Sequence, residues 1–243
     1  MLYLAPQADP TADTIGEGEA DDGGRYVLKN DAHERPVRAS EWLCTNIAEA
    51  VGFIAARPCF LEMPDGALVF GSRRLAGVAA QAESHKHLLT PGGHPDQPKN
   101  ALPLRTSLSA LYAFDMAFNN DDRHLNNYMF TVESGALRPV AFDFSRSLFW
   151  NWPLAGFVHP QTATRQLGAI LRQFHGWDLA AAEGVITRLE TLPTATVERF
   201  INEMPGDWLA EQLRTDLLAW WSGQGRIDRL AELREGLRDG SLL

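Results

Sequence analysis

The chain has 243 residues, 45% of them hydrophobic, which is enough to build one large domain or two small lobes around a cleft. Its net charge is −9 and its pI is about 5.2, which argues against nucleic acid as a direct partner because phosphate contacts need a basic face. No apolar run approaches the roughly 20 residues that a membrane span requires. Composition therefore favours a globular protein that binds neither nucleic acid nor a membrane.

Two further features bear on where the protein works. The N-terminus, MLYLAPQADP, has neither a basic segment nor a long apolar core, so we expect no signal peptide. The two cysteines, Cys44 and Cys59, do not suggest a disulfide framework. Both features predict a location in the reducing cytoplasm.

The first third of the chain predicts a small β-rich unit with one helix. ADDGGRYVLKN predicts a tight turn followed by a strand, since Asp-Gly-Gly is turn chemistry and Tyr-Val-Leu favours strand. SEWLCTNIAEAVG predicts a helix capped by Ser40 and ended by Gly52. RPCFLEM and ALVFGSR predict two more strands, joined by the turn PDGA.

The remainder of the chain predicts mostly helix. Residues 91–103 form a loop by composition, TSLSALYAFDMAFNN predicts a buried helix, and YMFTVESGALRPVAFDFS predicts a hairpin that turns at ESGA. From about residue 162 the pattern is helical almost throughout, and DWLAEQLRTDLLAWWSG indicates a single helix. The order predicts an α+β fold with two lobes, a small lobe at 1–75 and a helical lobe at 76–243, and a cleft between them.

The stretch DDRHLNNY at residues 121–128 places charged and polar side chains, of the kinds that bind metals or protons, inside an otherwise apolar region. Asp122 and Asn127 are five residues apart, and Asp143 follows Asn127 by sixteen residues, which is room for one hairpin. Phosphoryl transfer needs a carboxylate that orients the attacking hydroxyl, and oxygen ligands that hold Mg²⁺ on the phosphates. Lys29 ends a predicted strand and would supply a cation for the phosphates. Glu41 starts the next helix and would supply a carboxylate that holds this cation.

Each of these residues also has a simpler interpretation. Asp122, Arg123 and His124 would then form a solvated loop with local ion pairs. Lys29 would be an ordinary lysine at the end of a strand, and Glu41 an acid favoured by the helix dipole. Taken singly these alternatives stay open. The order of the whole set, from the lysine and helix glutamate to the hairpin aspartate, favours a kinase-like site.

DRHLNNY followed by AFDFS resembles the catalytic and metal-binding segments of HipA-like serine/threonine kinases and, more distantly, of phosphatidylinositol 3/4-kinases. DDGGRYVLKN, SEWLCTNIAEAVG and LVFGSR are similar to the small lobe of compact bacterial HipA-related kinases. The resemblance covers roughly residues 19–150. It implies a protein-kinase-like fold, and a kinase that uses ATP and Mg²⁺ to phosphorylate a protein on serine or threonine.

The resemblance also implies roles for individual residues of the large lobe. Asp122 would be the catalytic base, and Asn127 and Asp143 would bind Mg²⁺. His124 would stabilise charge in the loop or on the phosphoryl group during transfer.

In the small lobe, Lys29 would contact the ATP phosphates and pair with Glu41. From its position at a strand end we expect that replacing Lys29 by alanine weakens nucleotide binding and leaves the fold intact. The strand around residues 70–75 would be the hinge that binds adenine through its backbone, with contacts from Phe70, Gly71 and Ser72.

One segment departs from the family pattern. The phosphate loop of related kinases bears glycine, whereas the corresponding region here, TADTI, has none, and Gly16 and Gly18 come slightly later. This keeps a second function open, a catalytically weak or inactive kinase-like module that binds a nucleotide or a protein partner. Transfer of a nucleotidyl group on the same fold is a third. The substrate and any regulatory protein partner are not specified by the sequence.

Overall fold

A computed structural model describes residues 3–5, 14–91, 104–133 and 136–243. Nearly all of the predicted loop at 91–103, the tip of the predicted ESGA turn and the first three residues of TADTI lie outside these ranges. The strands are β1 Tyr3–Ala5, β2 Thr14–Glu19, β3 Arg25–Lys29, β4 Ile54–Ala55, β5 Pro58–Glu62, β6 Leu68–Arg73, β7 Met129–Glu133 and β8 Ala136–Ala141. The α-helices are α1 Val37–Ala50, α2 Gln81–Leu89, α3 Leu104–Ala117, α4 Ala163–His175, α5 Leu179–Thr191, α6 Thr194–Glu203, α7 Glu211–Ser222 and α8 Gln224–Asp239.

Five strands form an antiparallel sheet in the order β1-β2-β3-β6-β5. The predicted Asp-Gly-Gly turn joins β2 to β3, and Gly23 at this turn has a φ of 70°, a conformation that glycine adopts without steric cost. Lys29 pairs with Phe70 across β3 and β6. The last residue of β3 therefore lies inside the sheet, with β2 on one side and β6 on the other.

Helix α1 follows β3, as predicted, but it begins at Val37 and not after Ser40. The amide of Ser40 already donates to the carbonyl of Pro36 at 3.0 Å, so Ser40 lies in the first turn of the helix. Its hydroxyl is buried and caps nothing. Proline is well suited to a helix start because its fixed φ matches the helix and the missing N–H would have no partner there. Glu41 consequently lies one turn inside the helix.

The predicted hairpin is present as β7 and β8, and it joins a second sheet in the order β4-β8-β7. Strand β4 comes directly after α1 and runs parallel to β8, with Ile54 opposite Val140. This pairing fixes the end of α1 against the hairpin that precedes Asp143. Helix α3 leads into the DDRHLNNY segment, which contains a short 3-10 turn at Leu125–Asn127.

The C-terminal region is helical, as predicted, and comprises α4 to α8. The predicted single helix at DWLAEQLRTDLLAWWSG is instead a 3-10 turn at Gly206–Trp208 followed by α7, because Leu209 is extended, with φ −142° and ψ 122°. Helix α2 is an element that the sequence did not predict. In the ranges that the structure describes, no helix has both the length and the apolar character needed to cross a membrane.

The main hydrophobic core crosses the boundary between the two lobes. Trp42, Leu43 and Ile47 of α1 belong to the same buried cluster as Phe114 of α3 and Phe200 of α6. A smaller cluster, formed by Tyr26, Leu28 and Val69, lies within the five-stranded sheet. Helix α1 thus packs as part of the large lobe's core, although it follows the small sheet in sequence.

Candidate active site

Lys29 is the centre of a buried polar network that joins three distant parts of the chain. Its ammonium group donates to Glu41 Oε1, to Asp143 Oδ1 at 2.5 Å and to Ser145 Oγ at 2.8 Å. Ser145 Oγ also lies 2.9 Å from Glu41 Oε1. Lys29 and Glu41 are 6% and 1% exposed, so this lysine is not a solvated residue at a strand end. The structure therefore brings together three residues that the sequence proposed, and Ser145, which it did not.

The charges in this network stabilise one another. Burial alone would lower the pKa of Lys29, but the carboxylates of Asp143 and Glu41 outweigh burial and raise that pKa above its usual value. Burial would raise the pKa of Asp143, but the charge and hydrogen bond of Lys29 outweigh it and lower the pKa to about 2. Asp143 is therefore ionised at neutral pH, as a metal ligand must be.

Asp143 lies just beyond the hairpin and not in an apolar strand. Strand β8 ends at Ala141, and Asp143 has a φ of 58°, in the left-handed region that side chains other than glycine rarely adopt. Phe144 is fully buried, whereas Phe142 is only partly buried. The backbone turn gives the Asp143 side chain 29% exposure while its Oδ1 atom contacts Lys29.

The predicted catalytic loop presents one exposed carboxylate and one buried amide. The side chains of Asp122 and His124 are each 44% exposed, and Asp122 Oδ2 lies 4.0 Å from His124 Nε2. Asn127 is 6% exposed, and its Nδ2 donates to the carbonyl of Asp122 at 2.8 Å. This hydrogen bond from Asn127 to Asp122, five residues earlier, closes the loop. The amide oxygen of Asn127 is a type of ligand that Mg²⁺ accepts.

Arg123 anchors this loop to the hairpin and to helix α3. The guanidinium group makes a bidentate pair with Asp115, with two bonds of 2.9 Å. Its Nη1 atom donates to the carbonyl of Asn127 at 3.0 Å and to that of Phe142 at 2.6 Å. This one nitrogen therefore binds the backbone of Asn127 and the backbone of the residue that precedes Asp143, and so links the two proposed metal ligands. Arg123 is 1% exposed, which excludes the interpretation of this residue as part of a solvated loop.

Two more supports, one of the loop and one of the end of α3 that leads into it, were missed by sequence reasoning. Thr164 Oγ1 accepts from the amide of Arg123 at 2.9 Å and donates to the carbonyl of Asn120 at 2.6 Å. Arg229, 3% exposed, donates to the carbonyls of Met116 and Ala117 at the end of α3. These partners come from α4 and α8, far away in sequence, and no local pattern marks them.

We expect Arg123→Met to destabilise the protein severely. Removal of one partner from a buried ion pair typically costs about 3–5 kcal/mol, because the remaining charge loses its counter-charge and has no water in its place. The double variant Arg123→Met with Asp115→Asn should recover only part of the loss, since the carbonyls of Asn127 and Phe142 still lose their donor. Urea unfolding of the wild type and both variants measures this. Full recovery in the double variant would contradict the anchoring role.

The burial of Lys29 also changes the result expected from its removal. Lys29→Met should lower the free energy of unfolding by about 3–5 kcal/mol, because Glu41 loses its cation in a buried site. Adding Glu41→Gln removes the orphaned charge and should restore most of the stability. Nucleotide affinity should stay weak in both variants, since both lack the cation. Calorimetric titration and thermal unfolding distinguish the two effects, and an unchanged affinity would exclude Lys29 from a nucleotide site.

The sheet register corrects the predicted adenine contacts. Phe70, Gly71 and Ser72 of β6 pair with Lys29, Leu28 and Val27 on one side. The same three residues pair with β5 on the other side. Their backbone groups are therefore committed to the sheet ladders. Phe70 and Gly71 are buried, so the backbone of these residues cannot bind a base in this arrangement. Any hinge contact must come from residues after Arg73.

No group of three or more His, Cys, Asp or Glu side chains that could hold a metal occurs in the described ranges. The residues present still fit Mg²⁺, because kinase-type sites use few protein ligands and complete the shell with phosphate and water oxygens. Asp143 accepts one hydrogen bond from Lys29 and one from Ser145, and both reach its Oδ1 atom. The Oδ2 atom is therefore the one that suits a cation.

Comparison with solved structures identifies the fold. The Helicobacter pylori proinflammatory kinase CtkA matches with a TM-score of 0.60 and 12% identity, over 97% of this chain and 96% of that one. This chain has a kinase-like fold. A chain from the Shewanella oneidensis MR-1 toxin–antitoxin complex of HipA, HipB and operator DNA matches with a TM-score of 0.43 and 12% identity, over 87% of this chain and 58% of that one. The match to CtkA confirms the predicted α+β architecture across nearly the whole chain.

Searches by sequence add nothing to this result, because no protein-family model and no curated protein matches the chain.

Proposed function

We propose that the protein is a kinase that uses ATP and Mg²⁺ to phosphorylate serine or threonine hydroxyls of a protein substrate. The observation that carries the proposal is the convergence of Lys29 and Glu41 with Asp143, while Arg123 holds the Asp122–Asn127 loop against the same hairpin. A packing role does not require a lysine and two acidic side chains from different elements to meet at a partly exposed position. A site for phosphate and metal does.

Each residue has a role in the proposed transfer. Asp122 accepts the proton of the substrate hydroxyl while the hydroxyl oxygen bonds to the γ-phosphorus of ATP. The bond from the γ-phosphorus to the oxygen of the β-phosphate breaks at the same time, and ADP is released. Lys29, held by Glu41, contacts the α- and β-phosphates. Asn127 and Asp143 would hold Mg²⁺, which would neutralise charge on the phosphate oxygens. His124, half exposed beside Asp122, stabilises negative charge in the loop or on the phosphoryl group.

For the adenine, we propose the segment that follows β6. Arg74 still donates its amide to Arg25 at 2.8 Å, and Ala79 donates to the carbonyl of Phe130 at 2.9 Å. The stretch at 75–77 crosses between these two attachments, from the small sheet to the β7–β8 hairpin, where Val78 already pairs with Thr131. Backbone groups in such a crossing can reach a base without breaking a sheet ladder, which those of Phe70 cannot.

A second function is favoured by one observation. Lys29 binds Asp143 directly at 2.5 Å, so its ammonium group can turn fully to the nucleotide phosphates only after that ion pair opens. Together with the glycine-free TADTI segment, this favours slow catalysis, or a module that binds nucleotide or a protein partner without efficient transfer. Transfer of AMP in place of phosphate is a further possibility on the same residues.

One experiment separates these functions. The purified protein is incubated with Mg²⁺ and ATP labelled on the γ-phosphate or on the α-phosphate, alone and with a mixture of bacterial proteins. Transfer of the γ-label to protein serine or threonine supports the kinase. Transfer of the α-label identifies nucleotidyl transfer. Nucleotide binding without transfer of either label identifies the binding module.

A further inference from the structure

Helix α1 carries Glu41, and the next residue, Trp42, attaches this helix to the C-terminal helices. Trp42 is 7% exposed, and its indole Nε1 donates to the carbonyl of Phe200 at 2.8 Å. A buried indole N–H without a partner would be costly, so this bond fixes where the ring can lie. The attachment spans 158 residues of sequence.

The acceptor is a carbonyl that α6 leaves available. Phe200 lies in the last turn of α6, where carbonyl groups lack helical partners. The amide of Met204, which would continue the helical pattern to Phe200, donates instead to Ile201 at 3.3 Å. Trp42 therefore caps the C-terminal end of α6, and both groups are satisfied by one contact. Loss of this contact leaves a donor and an acceptor unpaired.

Trp208 provides a second point of attachment. Its ring meets the edge of Trp42 with the centroids 6.3 Å apart and the planes at 82°, a favourable geometry for two aromatic rings. The guanidinium group of Arg38, one turn before Trp42, lies 5.3 Å from the centroid of Trp208. Arg38 also donates to the carbonyl of Leu68 in β6 at 2.8 Å. The first turns of α1 are thus held by the large lobe and by the small sheet together.

These contacts and the Lys29–Glu41 pair cannot move separately. Glu41 and Trp42 are consecutive residues of one rigid helix, so a shift of α1 that withdraws Glu41 from Lys29 also separates Trp42 from Phe200. We propose that Trp42, through Phe200 and Trp208, is a positioning residue that holds Glu41 against Lys29 before nucleotide binds. No activating partner is then needed to assemble the pair. The meaning of this device for catalysis rests on the proposed kinase function.

The test measures the reactivity of Lys29 and requires no kinase activity. The chain has three lysines, at positions 29, 86 and 99, so peptide mass spectrometry resolves acylation at each. Lys86 on α2 is exposed and serves as the internal reference. In the wild type without nucleotide, Lys29 should react much more slowly than Lys86. Trp42→Phe keeps an aromatic ring and removes the N–H, and should raise the ratio of Lys29 to Lys86 labelling roughly fivefold, the factor that one hydrogen bond provides.

Two further variants make the result decisive. Trp42→Leu removes the ring contact with Trp208 as well and should raise the labelling ratio further. Ile186→Ala, which creates a cavity at a fully buried position of α5, is the control for general loss of stability and should leave the ratio at the wild-type value under native conditions. Wild-type labelling in both Trp42 variants, or an equal increase in Ile186→Ala, would overturn the proposal. A wild-type protein that shows no phosphate transfer would refute the kinase function and leave this measurement valid.

Discussion

Asp143→Asn is expected to reduce Mg²⁺-dependent phosphate transfer by about a thousandfold or more while the protein remains folded. The change keeps the size of the side chain and removes the negative charge that a hard cation needs. Metal stabilisation of the transferred phosphate is worth several kcal/mol, and each 1.36 kcal/mol corresponds to roughly tenfold in rate. The fold should survive because Lys29 keeps Glu41 as its counter-ion. Initial rates over a Mg²⁺ series, with thermal unfolding in parallel, provide the measurement.

A matched control is available at Asp178, which caps α5 through a hydrogen bond from Ala181 at 3.0 Å. Asp178→Asn makes the same chemical change at a carboxylate away from the Lys29 network, and asparagine caps helices equally well. It should leave turnover unchanged. Turnover near the wild-type value in Asp143→Asn at saturating Mg²⁺ would show that Asp143 is not the metal ligand.

The order of elements and the identity of the central residues could be predicted because both have local signals. Alternating and helical apolar patterns mark β3, α1, α3 and the hairpin, and the spacing from Asp122 to Asn127 lies within one loop. The pairing of Lys29 with Glu41 followed from element order combined with the family resemblance, whereas the contact of Lys29 with Asp143 was not predicted. Helix ends were less well predicted, as at Ser40, because the start of a helix depends on backbone geometry at Pro36 that a cap preference alone does not determine.

The supports of the site could not be predicted, because their partners are distant in sequence. Arg123 pairs with Asp115 and reaches Phe142, and in the sequence it looks like one more charge in a polar loop. Lys29 likewise looks exposed at the end of a strand until β6 and α1 cover it. Ser145 had a weak signal, since it stands two residues after Asp143 and so can share its side of the chain. Burial of charge is a tertiary property, and it overturned the solvated interpretation of Lys29 and of Arg123, whereas Asp122 and His124 remain 44% exposed.

Asp122→Ala is expected to lower turnover by about 10²–10⁴-fold, the usual contribution of a general base, without weakening nucleotide binding. The fold should tolerate this change, because the carboxylate is 44% exposed and its removal leaves no buried charge behind. The melting temperature should therefore change little. Asn127→Ala should behave differently, since it removes a metal ligand and also the bond to the carbonyl of Asp122. It should raise the Mg²⁺ concentration needed for half-maximal rate and lower the melting temperature.

The variant Asn127→Asp separates the two losses at that position. It keeps an oxygen ligand for Mg²⁺ and removes the N–H donor, so its Mg²⁺ requirement should stay near the wild-type value while its melting temperature falls as in Asn127→Ala. Turnover over a Mg²⁺ series and melting curves for all three variants test the assignment. If Asp122→Ala and Asn127→Ala lost activity only in proportion to lost stability, the loop would be a structural turn. Loss of a base must lower turnover, whereas loss of a metal ligand must raise the Mg²⁺ requirement.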